Sequence, residues 1–179
     1  MDTDPINDPF GTLGLPRSFG VDPSQVRRAW LSASGTLHPD RAGGDPLDGA
    51  EIARRSARVN EARRVLDNPE LRAEALLRLL GGPVVGADKS LPDGFLAEMI
   101  SVREELEAAA DDPARVAALE RWAQEQRSGH VERIGSLFDA HEKSGDRAAI
   151  ASIRTELNAW RYIERMLEQI HPARGAGTR

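Results

Sequence analysis

His38 and Asp40, separated only by Pro39, are the residues whose types and spacing could do chemistry. An imidazole beside a carboxylate makes an acid–base pair when both side chains converge on one pocket. Pro39 works against convergence. It pushes His38 out of the helical region and forces a turn, and across that turn the two side chains point apart. The other histidines, His130, His141 and His171, show no metal-ligand spacing except His130 and His141, eleven residues apart on one predicted helix. The absence of cysteine excludes disulfides, thiolate catalysis and Cys-ligated zinc or iron–sulfur centres on this chain. The expectation is no enzyme, no catalytic residue, no metal site and no cofactor, with His38 and Asp40 presented on a rigid, exposed turn.

That turn lies between two predicted helices. Asp22-Pro23-Ser24-Gln25 is a helix start: Asp22 can cap, Pro23 suits the first helical position, and Gln25 can reach back as in a capping box. Apolar Val26, Ala29, Trp30, Ala33 and Leu37 then fall on one face, with Arg27 and Arg28 off it. Before this helix, Asp8 to Leu15 reads as a short helix or helical turn. After the turn, a glycine-rich stretch leads to a third helix over about Leu47–Leu66, with Ile52, Val59, Ala62, Val65 and Leu66 as core positions. Asn68-Pro69 breaks it and starts a fourth helix, Pro69–Leu80, carrying Leu71, Ala75, Leu76 and Leu79 at helical spacing.

Gly81-Gly82-Pro83 ends that helix, and nothing periodic follows until Leu91. Three further helices are expected, over about Pro92–Ala110, Pro113–Lys143 and Asp146–Ile170. Their short connections predict antiparallel neighbours and a three-helix bundle. The predicted organisation is a domain over 1–80, a linker over 81–90, a bundle over 91–171 and a disordered tail over 172–179. The fold class is all-α, because Ala, Leu, Arg and Glu dominate and no alternating β-branched run occurs.

A net charge of −5 argues against general nucleic-acid binding. Arg54, Arg55, Arg58, Arg63 and Arg64 make one locally basic helix, read as a solvated face. Met1-Asp2-Thr3-Asp4 carries neither the basic region nor the apolar stretch of a secretory signal, and no apolar run reaches the roughly 18 residues of a membrane span. The expectation is a cytoplasmic protein with no membrane partner.

Taken in order, the segment Pro9–Pro16, the basic second helix, the His38-Pro39-Asp40 turn with Arg41, and Val59-Asn60-Glu61-Ala62 resemble a J-domain, the module by which co-chaperones stimulate ATP hydrolysis in DnaK-type chaperones. Asn68-Pro69-Glu70-Leu71-Arg72-Ala73-Glu74-Ala75-Leu76-Leu77 resembles the segment closing the J-domain of HscB-type co-chaperones of iron–sulfur cluster assembly. Leu91-Pro92-Asp93-Gly94-Phe95-Leu96-Ala97-Glu98-Met99, followed by Val102-Arg103-Glu104-Glu105-Leu106, is similar to the opening of that family's C-terminal domain. The resemblance covers Asp8 to about Gln169.

The resemblance implies that His38, Pro39 and Asp40 contact the ATPase domain of a DnaK-type chaperone, with Arg27, Arg28 and Arg41 offering positive charge. It also implies a second surface for the scaffold protein on which clusters are built, on Leu96, Ala97, Ile100, Ser101, Glu104 and Tyr162. Leu96, Ile100 and Glu104 recur every four residues and so share a helix face. Ala97 and Ser101 depart from the long thioether and the carboxylate of a close relative, and Leu37 and Ala42 flank the turn where an aromatic is more usual. Some members of the family carry an N-terminal cysteine-rich metal module, and this sequence, without cysteine, has none. The alternatives are a J-domain co-chaperone for unrelated clients and a helical adaptor with an inactive J-domain. Weak homodimerisation is left open by the sequence.

Overall fold

The computed structural model describes residues 8–37 and 46–170 and forms two compact units, Met1–Gly81 and Gly82–Arg179. His38, Pro39, Asp40, Arg41 and Ala42 lie outside the described residues, as does the tail from His171. All named elements are helices: α1 (Pro9–Leu13), α2 (Pro23–Thr36), α3 (Pro46–Asp67) and α4 (Pro69–Leu79) in the first unit, α5 (Phe95–Ala108), α6 (Pro113–Ser144) and α7 (Ala148–Ile170) in the second.

Local chemistry sets the boundaries of the first unit. Asp8 caps α1 by accepting from the Gly11 N–H at 3.0 Å, and its other oxygen accepts from Arg17 at 2.7 Å. Burial alone would raise the Asp8 carboxyl, but the Gly11 amide and the Arg17 guanidinium outweigh it and hold it below the usual carboxylate range. Gly14, at φ 64°, ends α1 and lets the Leu15 N–H close on the Phe10 carbonyl at 2.9 Å. Phe10 and Leu13 are thereby delivered to the core. Asp22 caps α2 through the Ser24 N–H at 2.7 Å, so the cap closes on Ser24, and Gln25 stays exposed.

In α2 only Val26 is fully buried, while Ala29, Trp30, Ala33 and Leu37 are half-buried. Trp30 explains part of this. Its indole N–H donates to Asn60 Oδ1 at 2.9 Å, and the Arg63 guanidinium lies 4.1 Å over its ring. The ring therefore clamps α2 to α3 at the edge of the core rather than inside it. On α3, Val59, Ala62 and Leu66 are buried, and Ile52 and Val65 are half-buried.

The arginines of α3 are matched by carboxylates. Arg54, Arg55 and Arg58 converge on Glu51, Arg63 pairs with Asp67, and Arg64 with Glu61. This is the solvated face expected from the sequence; such exposed pairs contribute roughly 0–1 kcal/mol each.

Asn68 caps α4 through the Leu71 N–H, and Ala73, Ala75, Leu76 and Leu77 are buried. Arg72 is buried with them. It donates to the Leu66 carbonyl at 2.8 Å and the Val21 carbonyl at 3.4 Å, over the Phe19 ring. One side chain thus ties α4 to the end of α3 and to the loop before α2. Burial pushes its pKa down from the ordinary arginine value.

In the second unit, α6 and α7 form a long antiparallel hairpin. Gly145, at φ 68°, closes α6 on the His141 carbonyl, and Asp146 caps α7 through the Ala148 N–H. Buried Ala149, Ile153, Leu157, Trp160, Ile163 and Leu167 make one stripe along α7. At 14 residues α5 is about 21 Å long against about 48 Å for the 32-residue α6. It packs Phe95, Met99, Val102 and Leu106 against Ala123, Ile163, Met166 and Leu167, completing the three-helix bundle over part of the hairpin.

Two features of this unit differ from the sequence expectation. Helix α5 starts at Phe95 rather than Pro92, because Gly94 adopts φ 77° and the chain turns there. Residues 83–90, within the stretch 81–90 read as a linker, are fastened to α7. Arg154, 1% exposed, donates twice to the Pro83 carbonyl, at 2.7 and 3.1 Å. The Asn158 amide donates to the carbonyls of Asp88 and Ser90, both at 3.0 Å.

Candidate functional site

Two surfaces carry the residues singled out in the sequence. On the first unit, Val26 and the Trp30 clamp fix the inner side of α2, which turns Arg27 and Arg28 to solvent. Arg28 donates to Ser24 Oγ at 3.0 Å and so is held along the helix. Leu31, one turn on, is also exposed. The turn that would complete this surface, His38 to Arg41, lies outside the described residues.

On the second unit, Leu96 and Ile100 are each 53% exposed and Tyr162 is 39% exposed. None is core. They meet at a groove of about 320 Å³ between α5 and α7, lined also by Met99, Leu106 and Met166 and by the polar Arg103, Arg165 and Gln169. Ala97, Ser101 and Glu104 are exposed on α5 but do not line this groove. Ser101 turns its hydroxyl back to the Ala97 carbonyl at 3.3 Å, so it offers its donor to its own helix.

The Tyr162 ring is held from two sides. Phe95 meets it edge-on at 5.9 Å, and the Arg165 guanidinium carbon lies 5.9 Å from its centroid. Phe95 in turn meets the His130 ring edge-on at 6.0 Å. His130 is 2% exposed, with Nδ1 2.7 Å from Glu156 Oε2, and Arg133 Nε donates to the same oxygen at 3.0 Å. The hydrogen bond from His130, opposed by burial and aided by Arg133, holds the Glu156 carboxyl below its ordinary value. Glu156 is therefore ionised, and a terminal nitrogen of Arg133 also lies 2.9 Å from His130 Nδ1, so the three groups meet at one point. His130 Nε2 is buried without a partner.

The sequence did not single out Phe95, Arg133, Glu156, Arg165 or Gln169. Arg165 and Gln169 follow Tyr162 at +3 and +7, so helical periodicity places them on its face. His130 and Glu156 lie on different helices, and no local signal joins them. Among the described residues no cluster of three His, Cys, Asp or Glu could hold a metal ion, and no helix is long and apolar enough to cross a membrane. The groove lining is largely apolar, with Leu96, Met99, Ile100, Leu106, Tyr162 and Met166 on it.

A family model described as the HSCB C-terminal oligomerisation domain matches residues 91–171. A Bordetella petrii protein described as a co-chaperone protein HscB homolog is 31% identical over 96% of this chain and 98% of its own length. The solved structure of chaperone HscB from Vibrio cholerae superposes with a TM-score of 0.76 at 21% identity, covering 94% of this chain and 98% of that one. Human co-chaperone protein HscB gives a TM-score of 0.79 at 22% identity over 93% of this chain and 82% of that one. With the expected all-α architecture in place and a relative above 30% identity matched end to end, the chain belongs to the HscB family of J-type co-chaperones.

Proposed function

We propose that this protein stimulates the ATPase of a DnaK-type chaperone and delivers to it the scaffold protein on which iron–sulfur clusters are assembled. The observation that carries the reading is the exposure of Leu96, Ile100 and Tyr162 around one groove, on a unit distinct from the one bearing α2. Large apolar side chains gathered at a groove, with an aromatic and an arginine among them, have the composition of an interface anchor. The scaffold is the partner assigned to it, with Ala97, Ser101 and Glu104 on the flank of the same helix.

The chaperone-facing surface is assigned to Arg27 and Arg28 on α2 with His38, Pro39, Asp40 and Arg41 beyond it. Exposed guanidinium groups raise the association rate with an acidic surface and set orientation more than they add affinity. Stimulation then follows from binding the chaperone's hydrolysis-competent arrangement more tightly than its alternatives. In this reading the protein itself makes and breaks no bond.

The test is steady-state ATP hydrolysis by the cognate DnaK-type chaperone, with this protein and the apo scaffold added separately and together. Stimulation by this protein, enhanced when the scaffold is also present, is expected. A chaperone whose rate is indifferent to this protein at saturating concentration would overturn the proposal.

A further inference from the structure

We propose that the α5–α7 groove selects a partner surface that pairs an apolar ridge with a carboxylate, and that Arg165 is the residue reading that carboxylate. The inference rests on the scaffold reading above and names the chemistry the scaffold must present.

The charged groups lining the groove are Arg103 and Arg165, both cationic. Arg103 is already committed: its Nε donates to Glu107 Oε1 at 3.1 Å. Arg165 has no ion-pair partner among the described residues; the contact it makes is with the Tyr162 ring face. A guanidinium at the outer range of a cation–π contact keeps its N–H donors available to a partner. The groove floor beside it is apolar, from Leu96, Met99, Ile100 and Tyr162.

On α5, Ser101 stands where the family resemblance would place a carboxylate, and its hydroxyl is engaged by its own helix. The acidic contribution of α5 to the surface is thereby reduced, and Glu104 lies outside the groove. The groove lining carries two arginines and no carboxylate, although the whole chain is acidic, at −5. An uncompensated cation beside an apolar floor disfavours a basic partner and favours one carrying Asp or Glu next to its apolar residues.

The experiment is a binding titration of the full-length protein with the apo scaffold from the same organism, at low and high salt. The native protein, Arg165→Glu, Arg165→Lys and Leu96→Ala/Ile100→Ala/Tyr162→Ala are compared. Arg165→Glu is expected to weaken binding roughly tenfold at 0.1 M salt and to flatten the salt dependence of Kd, while Arg165→Lys, which keeps the charge but not the planar fork, falls between the two and keeps the salt dependence. Arg165 is exposed, so the melting temperature should not move.

If Arg165→Glu binds with native affinity and native salt dependence while the triple variant has lost binding, the scaffold reading stands and the role of Arg165 falls. Tighter binding by Arg165→Glu also overturns it, since the partner would then be basic. If the triple variant and Arg165→Glu both bind as the native protein does, the scaffold reading fails and takes this inference with it.

Discussion

His130 Nδ1 and Glu156 Oε2 lie 2.7 Å apart, joining α6 to α7 directly behind the aromatic ring that supports Tyr162. Glu156 is ionised, and Arg133 reaches the same oxygen, so one carboxylate gathers two side chains of α6. The pair is structural in its chemistry, and it holds up one wall of the groove.

The pair makes stability depend on acid. The folded-state pKa of Glu156 is depressed, so its contribution is complete above the unfolded glutamate value, about 4.3, and is lost as pH falls through the lower folded value. Glu156→Ala should cost about 1–3 kcal/mol at neutral pH by removing the carboxylate partner of the buried His130 Nδ1. Melting curves of both proteins should differ at pH 7 and converge as the medium is taken well below pH 4. A gap that persists unchanged into strong acid would show that the carboxylate charge is not the source.

The His38-Pro39-Asp40 turn is tested by His38→Gln. The substitution should leave the melt and scaffold binding unchanged and remove stimulation of the chaperone's ATPase. A variant that stimulates normally would disconnect the turn from chaperone activation.

Leu96, Ile100 and Tyr162 are exposed, so the triple alanine variant should stay folded. Truncating three core residues would cost roughly 2–5 kcal/mol each, whereas here the main internal loss is the edge-on contact of Tyr162 with Phe95, about 0.5–1.5 kcal/mol. Calorimetry beside a scaffold titration should show a small fall in melting temperature and no measurable binding.

Arg154 fastens the segment after the first unit through the Pro83 carbonyl. Arg154→Met keeps the buried stem and removes both donors. Limited proteolysis should then cut between Val84 and Lys89 faster than in the native protein, because that stretch loses one of its two anchors on α7 and Asn158 alone remains. Equal cutting rates would mean that Asn158 suffices.

Apart from the start of α5, the helix boundaries and the fold class were legible because their causes are local. Asp22, Asn68 and Asp112 each cap within three residues, and Gly145 sits where a left-handed residue must end α6. The divide of α5 into core and surface was not. Phe95, Leu96, Met99, Ile100, Val102 and Leu106 form an apolar arc wider than one contact line, and periodicity treats them alike. The α6–α7 hairpin covers Phe95, Met99, Val102 and Leu106 and leaves Leu96 and Ile100 in solvent. The same holds for partners far apart in the chain. His130 and Glu156 are 26 residues apart, and Arg154 and Pro83 are 71 apart. Capping acts within a turn, so the sequence records it. Which side chains meet across antiparallel helices depends on their register, and that is decided only when the apolar stripe of α7 is packed against its neighbours.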